Sequence, residues 1–308
     1  MTRRLAILGS IVWCLATAVG VRGERADVVS TPAAHPDGAE QHHYTMGARI
    51  RPLLVFWITR NDVGDAVVTR RRAPDEARYS LLIGTDPART PLHINRWGYI
   101  EEEIRGTDAR LLGVMTESDE ESIEQAEANV RKQPSGQHPF KVIRATADGA
   151  QAHAQVASIQ APQDYTLRQI DAVLDLAERV AGNGRQRVIS LPAGTRPGFL
   201  AALADTMRTS ERSVAYAYYG RLYDLRRTHS RRIPNLVIGT RSYGPAIAAD
   251  YVITSRHDGE QTKFSMTYGT DGAFAEVPLS VTYQPRWWMQ IELTIADGED
   301  VSSGGPLQ

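Results

Sequence analysis

The chain has 308 residues, 35 Lys plus Arg against 36 Asp plus Glu, and a formal net charge of −1. That balance argues against a nucleic-acid-binding protein and against a polybasic membrane patch. The length suffices for one large domain or two small ones, and the single cysteine, Cys14, excludes an intrachain disulfide framework.

Residues 1–23 have the form of an export signal. Arg3 and Arg4 give a positive start, residues 5–21 carry no charge, and small residues follow at Ala16, Ala18, Gly20 and Gly23. Cleavage near Gly23 would leave 32 basic against 36 acidic residues and no cysteine. The alternative is an uncleaved anchor, since 17 charge-free residues sit at the lower limit of about 17–25 for a spanning helix. Trp13 in front of Cys14 argues against lipidation. The expected location is therefore periplasmic or secreted.

Residues 24–47 are rich in Ala, Pro, Gly, His, Asp and Glu and are predicted to be a flexible linker. Residues 48–212 form the expected N-terminal part. The apolar run from Ile50 to Ile58 suits a buried strand, and residues 66–72, 79–84 and 111–116 suit further strands. Ser118 and Glu121 have capping-box spacing and predict a helix to about Lys132. Residues 140–146 and 152–159 flank Asp148-Gly149, a short-hairpin signal. Thr166 and Gln169 form a second capping box before Leu167, Ile170, Val173, Leu174, Ala177 and Val180, which keep helical spacing. After a strand at residues 187–191, Pro197 opens a third helix with Phe199, Ala202, Leu203, Thr206 and Met207 on one face.

Residues 213–297 change character. Val214, Tyr216 and Tyr218, then Phe264, Met266 and Tyr268, then Trp287, Met289, Ile291, Leu293 and Ile295 alternate with period two. This predicts an antiparallel sheet with one buried and one wet face. The whole reads as α+β, mixed strands and helices followed by a C-terminal antiparallel sheet, with residues 298–308 a disordered tail.

No local catalytic signature is present: no Gly-x-Ser-x-Gly elbow, His-Glu-x-x-His, phosphate loop or dinucleotide fingerprint. His42 and His43 are adjacent in the expected linker and the remaining histidines are scattered, so neither a metal nor another cofactor is assigned. Glu101, Glu102 and Glu103 follow Trp97 and Tyr99; two of the carboxylates could flank a sugar stacked on Trp97. The simpler reading is a solvated face balancing Arg70-Arg71-Arg72. Arg226-Arg227 and Arg231-Arg232 flank His229-Ser230, read as a turn; they could grip a phosphate or carboxylate, or form a charged loop that keeps sheet edges soluble. Tyr283, Arg286 and Trp288 are the candidate contact residues of the last strands. Trp288 falls on the wet face if the alternation holds, whereas a bulge at Pro285 would bury both tryptophans.

The combined expectation is a non-catalytic envelope or periplasmic binding or docking protein that uses its C-terminal sheet, with Trp288, Arg286, Tyr283, Trp97 and Tyr99 as contacts. The partner would be an unknown small ligand or envelope protein, with no nucleic acid and no membrane beyond an uncleaved signal. The alternatives are an exported hydrolase centred on the acidic residues near Trp97, and a structural or assembly subunit.

Overall fold

The computed structural model describes residues 39–50, 57–90, 94–116, 137–162, 164–179, 184–209, 211–286 and 289–296. The export signal, Cys14, the helix expected after Ser118 and the C-terminal tail lie outside these residues.

The strands are β1 (Glu40–Ile50), β2 (Ile58–Ala73), β3 (Glu76–Thr85), β4 (Trp97–Arg105), β5 (Asp108–Thr116), β6 (Gln137–Asp148), β7 (Gln151–Pro162), β8 (Arg185–Ser190), β9 (Ser213–Tyr218), β10 (Arg221–Ile238), β11 (Arg241–Ser255), β12 (Gln261–Gly269), β13 (Pro278–Arg286) and β14 (Met289–Ile295). All pair antiparallel in one sheet of order 8-7-6-5-4-3-2-1-14-13-12-11-10-9. The α+β expectation is therefore corrected to a predominantly β fold. Among the described residues the helices are two of ten residues each, α1 (Ile170–Arg179) and α2 (Phe199–Arg208), laid on the faces of the sheet rather than interleaved with its strands. Neither is long and apolar enough to cross a membrane.

The two parts of the chain are joined by a non-local pairing. Tyr44 to Ile50 of β1 run opposite Ile295 to Met289 of β14. Residues 40–47, given to the linker by their composition, are thus in a central strand. Tyr44, Met46, Ala48 and Ile50 alternate into the core while their neighbours face outward. The predicted hairpin at Asp148-Gly149 joins β6 to β7; Gly149 takes φ +83°, a left-handed conformation that glycine adopts without a Cβ clash.

The sheet curls until its end strands approach each other. Arg187 of β8 donates to the Tyr219 carbonyl at 3.2 Å and lies over the Tyr219 ring. The outer edge of β9 is covered by Arg196, whose N–H donates to Ala215 and whose carbonyl accepts from Ala217, both at 2.8 Å. Covering an edge in this way removes a template for unwanted pairing.

Each helix covers one face. On the outside, Ile170, Val173 and Ala177 of α1 pack with Trp97, Val114, Phe140, Val142 and Ile159. The Thr166–Gln169 capping box forms as predicted: Thr166 Oγ1 accepts from Arg168 N (3.3 Å) and Gln169 Oε1 accepts from Thr166 N (2.7 Å). On the inside, Phe199 and Ala202 of α2 join a core contributed by β1 to β6 and by β9 to β14. α2 lies within the curl of the sheet with Ala201, Ala202 and Ala204 buried, and its charged side chains, Asp205 and Arg208, pair with each other, Asp205 also with Arg196.

Candidate functional site

The inner face of the sheet and α2 do not meet everywhere. Between them lies a cavity of about 160 Å³ walled by Leu200, Leu203 and Met207 of α2, Leu81 and Ile83 of β3, and Phe264 and Met266 of β12, among others. Tyr44, Val281, Tyr283, Ile291 and Leu293 extend the wall across β1, β13 and β14. Alternate residues of each strand supply these side chains, so the cavity follows directly from the period-two pattern.

Charge appears at one side only. Arg70, Arg72 and Glu276 reach the cavity and are each partly exposed, which marks where it meets water. These groups already have partners. Arg70 pairs with Glu40 and donates to the Ala275 and Glu276 carbonyls at 3.3 Å. Arg72 pairs with Glu276 and donates to the Tyr79 hydroxyl at 3.3 Å. The Tyr44 hydroxyl donates to the Pro278 carbonyl at 2.7 Å, and burial pushes its ionisation well above the ordinary tyrosine range. What remains for a guest is an apolar wall with a fixed ionic rim.

The position of α2 is set by Glu102 of β4. This carboxylate is 1 % exposed, and its two oxygens accept from Leu200 N and Ala201 N at 2.8 Å each. The cap residue Gly198 supplies no side-chain acceptor, so Glu102 does from the sheet what a capping side chain does locally. A Cβ at Gly198 would sit 2.2 Å from the Glu102 carboxyl carbon, so the close approach requires glycine. Burial raises the Glu102 pKa to about 7, against the lowering effect of the amides it binds.

The candidate contact residues from the sequence are divided by the sheet. Tyr283 is buried on the inner face and lines the cavity. Trp97 and Tyr99 lie on the outer face beside α1, on the other side of the sheet. Trp97 is completely buried, so its ring has no free face for a sugar. The Tyr99 hydroxyl bonds to Glu101, and Arg78 pairs with Glu101 at 2.8 Å. Glu103 pairs with Arg105 at 2.6 Å. The three successive glutamates thus split, two outward into ion pairs with arginines of β3 and β4 and one inward onto α2. A shift of register between Tyr283 and Arg286 marks the bulge considered at Pro285. Trp288 and the Arg286 side chain lie outside the described residues.

His42 and His43 belong to β1, and His42 is held below its ordinary pKa by burial and by Arg70. Among the described residues no three His, Cys, Asp or Glu side chains gather as a metal set would. The cavity-lining residues of α2 were legible as an apolar helix but not as a wall, because the sequence does not show which strands oppose it. Compared with models of known families, with curated proteins and with solved structures, the chain finds no match in any of the three.

Proposed function

We propose that this is an exported, non-catalytic binding protein for an apolar or amphiphilic small molecule, held inside the sheet beneath α2 rather than on the wet face of the C-terminal strands. The observation that carries the reading is the apolar cavity of about 160 Å³ with its charged groups confined to one side. A dry apolar cavity of about 150 Å³ takes a guest the size of benzene. This one therefore suits an aromatic ring or a short aliphatic segment, whose polar end would point toward Arg70, Arg72 and Glu276. Small-molecule sites are commonly of this kind, apolar walls with a few polar groups that set orientation.

Toluene, one aromatic ring with a methyl group, tests it by calorimetric titration. The protein is expected to bind toluene with a saturable heat, and Leu203→Trp, which fills the cavity from α2, is expected to weaken binding at least about tenfold, about 1.4 kcal/mol. Thermal unfolding of the variant controls for folding. Absence of saturable binding, or equal binding by a folded Leu203→Trp variant, would remove the cavity as the site.

A further inference from the structure

The hairpin of β10 and β11 is longer than the sheet that carries it. Its strands have 18 and 15 residues, yet β9 pairs only with Arg221–Arg226 and β12 only with Ala246–Thr254. Beyond the end of β9, residues 228–233 of β10 run along an open edge of the sheet, and residues 234–245 continue as a two-stranded ribbon whose Pro245 carbonyl accepts from Thr270 N at 3.0 Å. The pair expected to flank a turn at His229-Ser230 instead lies along one strand, with a register shift between Arg227 and His229.

Charge on this ribbon is of one sign. Residues 225–249 contain Arg226, Arg227, Arg231, Arg232 and Arg241 and no Asp or Glu. Arg227 is engaged inward, donating to the Thr206 carbonyl (2.9 Å) and the Tyr268 hydroxyl (3.0 Å). Arg226, Arg231, Arg232 and Arg241 are exposed, and no ion pair is made by any of them among the described residues. The nearest carboxylates are occupied: Asp224 by Arg256 (2.6 and 2.8 Å), and Asp250 by the Ser265 hydroxyl (2.6 Å). The near-neutral balance of the whole chain conceals this segregation.

Strand register places Arg226 and Arg231, opposite Val252 and Ala248, on one face of the ribbon, and Arg232, opposite Ile247, on the other. The charge therefore falls on both faces of this strand instead of lining one side. Before its turn at Gly239-Thr240, Val237 is 56 % exposed, while Leu236 and Ile238 are partly buried against the core. Pro234 and the register shifts around Ile233, Leu236 and Val237 interrupt the ladder, which discourages addition of a further strand. What this edge and ribbon offer is guanidinium groups and one exposed valine.

At its turn end the ribbon adjoins the cavity rim. Arg241 lies over the rings of Tyr243 and Phe274, at 5.4 and 5.2 Å. Phe274 is followed by Ala275 and Glu276, the residues that hold Arg70 and Arg72.

We propose that the open edge of β10 and the β10–β11 ribbon dock the protein on an anionic phospholipid surface, with Arg226, Arg231, Arg232 and Arg241 engaging lipid phosphates and exposed Val237 entering the interface. Guanidinium forks match phosphate oxygens, and basic groups along an edge add their attractions to an anionic surface. The biological purpose of the contact, access of the cavity to a membrane-dissolved ligand, rests on the proposed binding function; the docking chemistry does not.

Flotation of the protein purified from an exporting host tests the proposal, using vesicles of phosphatidylcholine alone and of phosphatidylcholine with phosphatidylglycerol. Binding is expected only to the anionic vesicles and is expected to fall with added salt. Replacing Arg226, Arg231, Arg232 and Arg241 together by Gln should lower that binding by about a hundredfold or more, while Arg110→Gln with Arg185→Gln leaves it within about twofold. Equal binding to neutral vesicles, or retention by the folded fourfold variant, would overturn the inference. So would capture by an acidic polypeptide, polyglutamate, without capture by anionic vesicles. The fourfold variant should still bind toluene. Vesicle binding without toluene binding would remove only the cavity reading, and toluene binding without vesicle binding only the docking.

Discussion

Replacing Trp97 by alanine is expected to cost about 3–5 kcal/mol of stability, the range for deleting a fully buried large aromatic. The ring is 0 % exposed and lies 4.8 Å from Phe140, beneath the segment that leads into α1. Its indole N–H donates to the Tyr165 carbonyl at 3.4 Å, so the substitution removes both a packed volume and a tie to that segment. The surrounding backbone cannot close over the space easily. Gly84 is so near that a Cβ there would sit 2.3 Å from Trp97 Cβ, which means β3 is already in contact. Domains are stable by only about 5–15 kcal/mol, so the loss would be a large fraction of the total. Urea denaturation should show a lower midpoint with an unchanged slope. A change below about 1 kcal/mol would mean that the ring is not part of the core and would restore its reading as a contact residue.

The same residue shows what could and could not be read from the sequence. Trp97 and Tyr99 stand two apart on one face, and three glutamates follow, so local chemistry suggested a site. Strand alternation sends Glu102 to the opposite face from its neighbours, but which face is covered by a helix depends on pairings far away in the chain. Period-two alternation was legible in Phe264, Met266 and Tyr268 and in Met289, Ile291, Leu293 and Ile295, and all of these except partly buried Leu293 are buried. In β1 the same alternation was hidden by composition. Glu40, Gln41, His42 and His43 outweigh Tyr44 and Met46 when a window is averaged, although β14 on one side and β2 on the other make this strand central. The helices were legible from capping and spacing, and gave the α+β expectation because sequence order does not show that both lie flat on a single sheet. The basic ribbon was visible as two arginine pairs. Its open edge was not, because that follows from β9 ending before β10 does.

Stability is expected to fall as pH rises from about 4.5 to about 7, through Glu102, the reverse of an ordinary acid-denaturation profile. Burial lifts this carboxyl from 4.5 to about 7 in the folded chain, while the amides of Leu200, Ala201 and Phe199 pull it the other way. No charged side chain offsets the burial. Of the groups facing it, Tyr216 and Tyr218 of β9 are themselves held neutral by burial, and Tyr79 of β3 is opposite it in the strand register. Between the two pKa values the folded state binds more protons than the unfolded state, so the slope of unfolding free energy with pH is negative. At up to about 1.4 kcal/mol per unit, this group alone removes roughly 3 kcal/mol across the window, with no further change from it above about pH 7 or below about 4.5. Glu102→Gln should abolish that slope. It should also lower stability at acid pH by about 1–3 kcal/mol, because one amide of α2 then faces an NH₂ group instead of an acceptor. Urea unfolding of both proteins at about pH 5 and pH 7.5 decides the matter; parallel losses in the two would assign the dependence to other groups. Hydrogen exchange at Leu200 and Ala201 gives the local counterpart. Those two amides are expected to exchange faster in the variant than the strands of the core, since Glu102 joins β4 to the helix that walls the cavity.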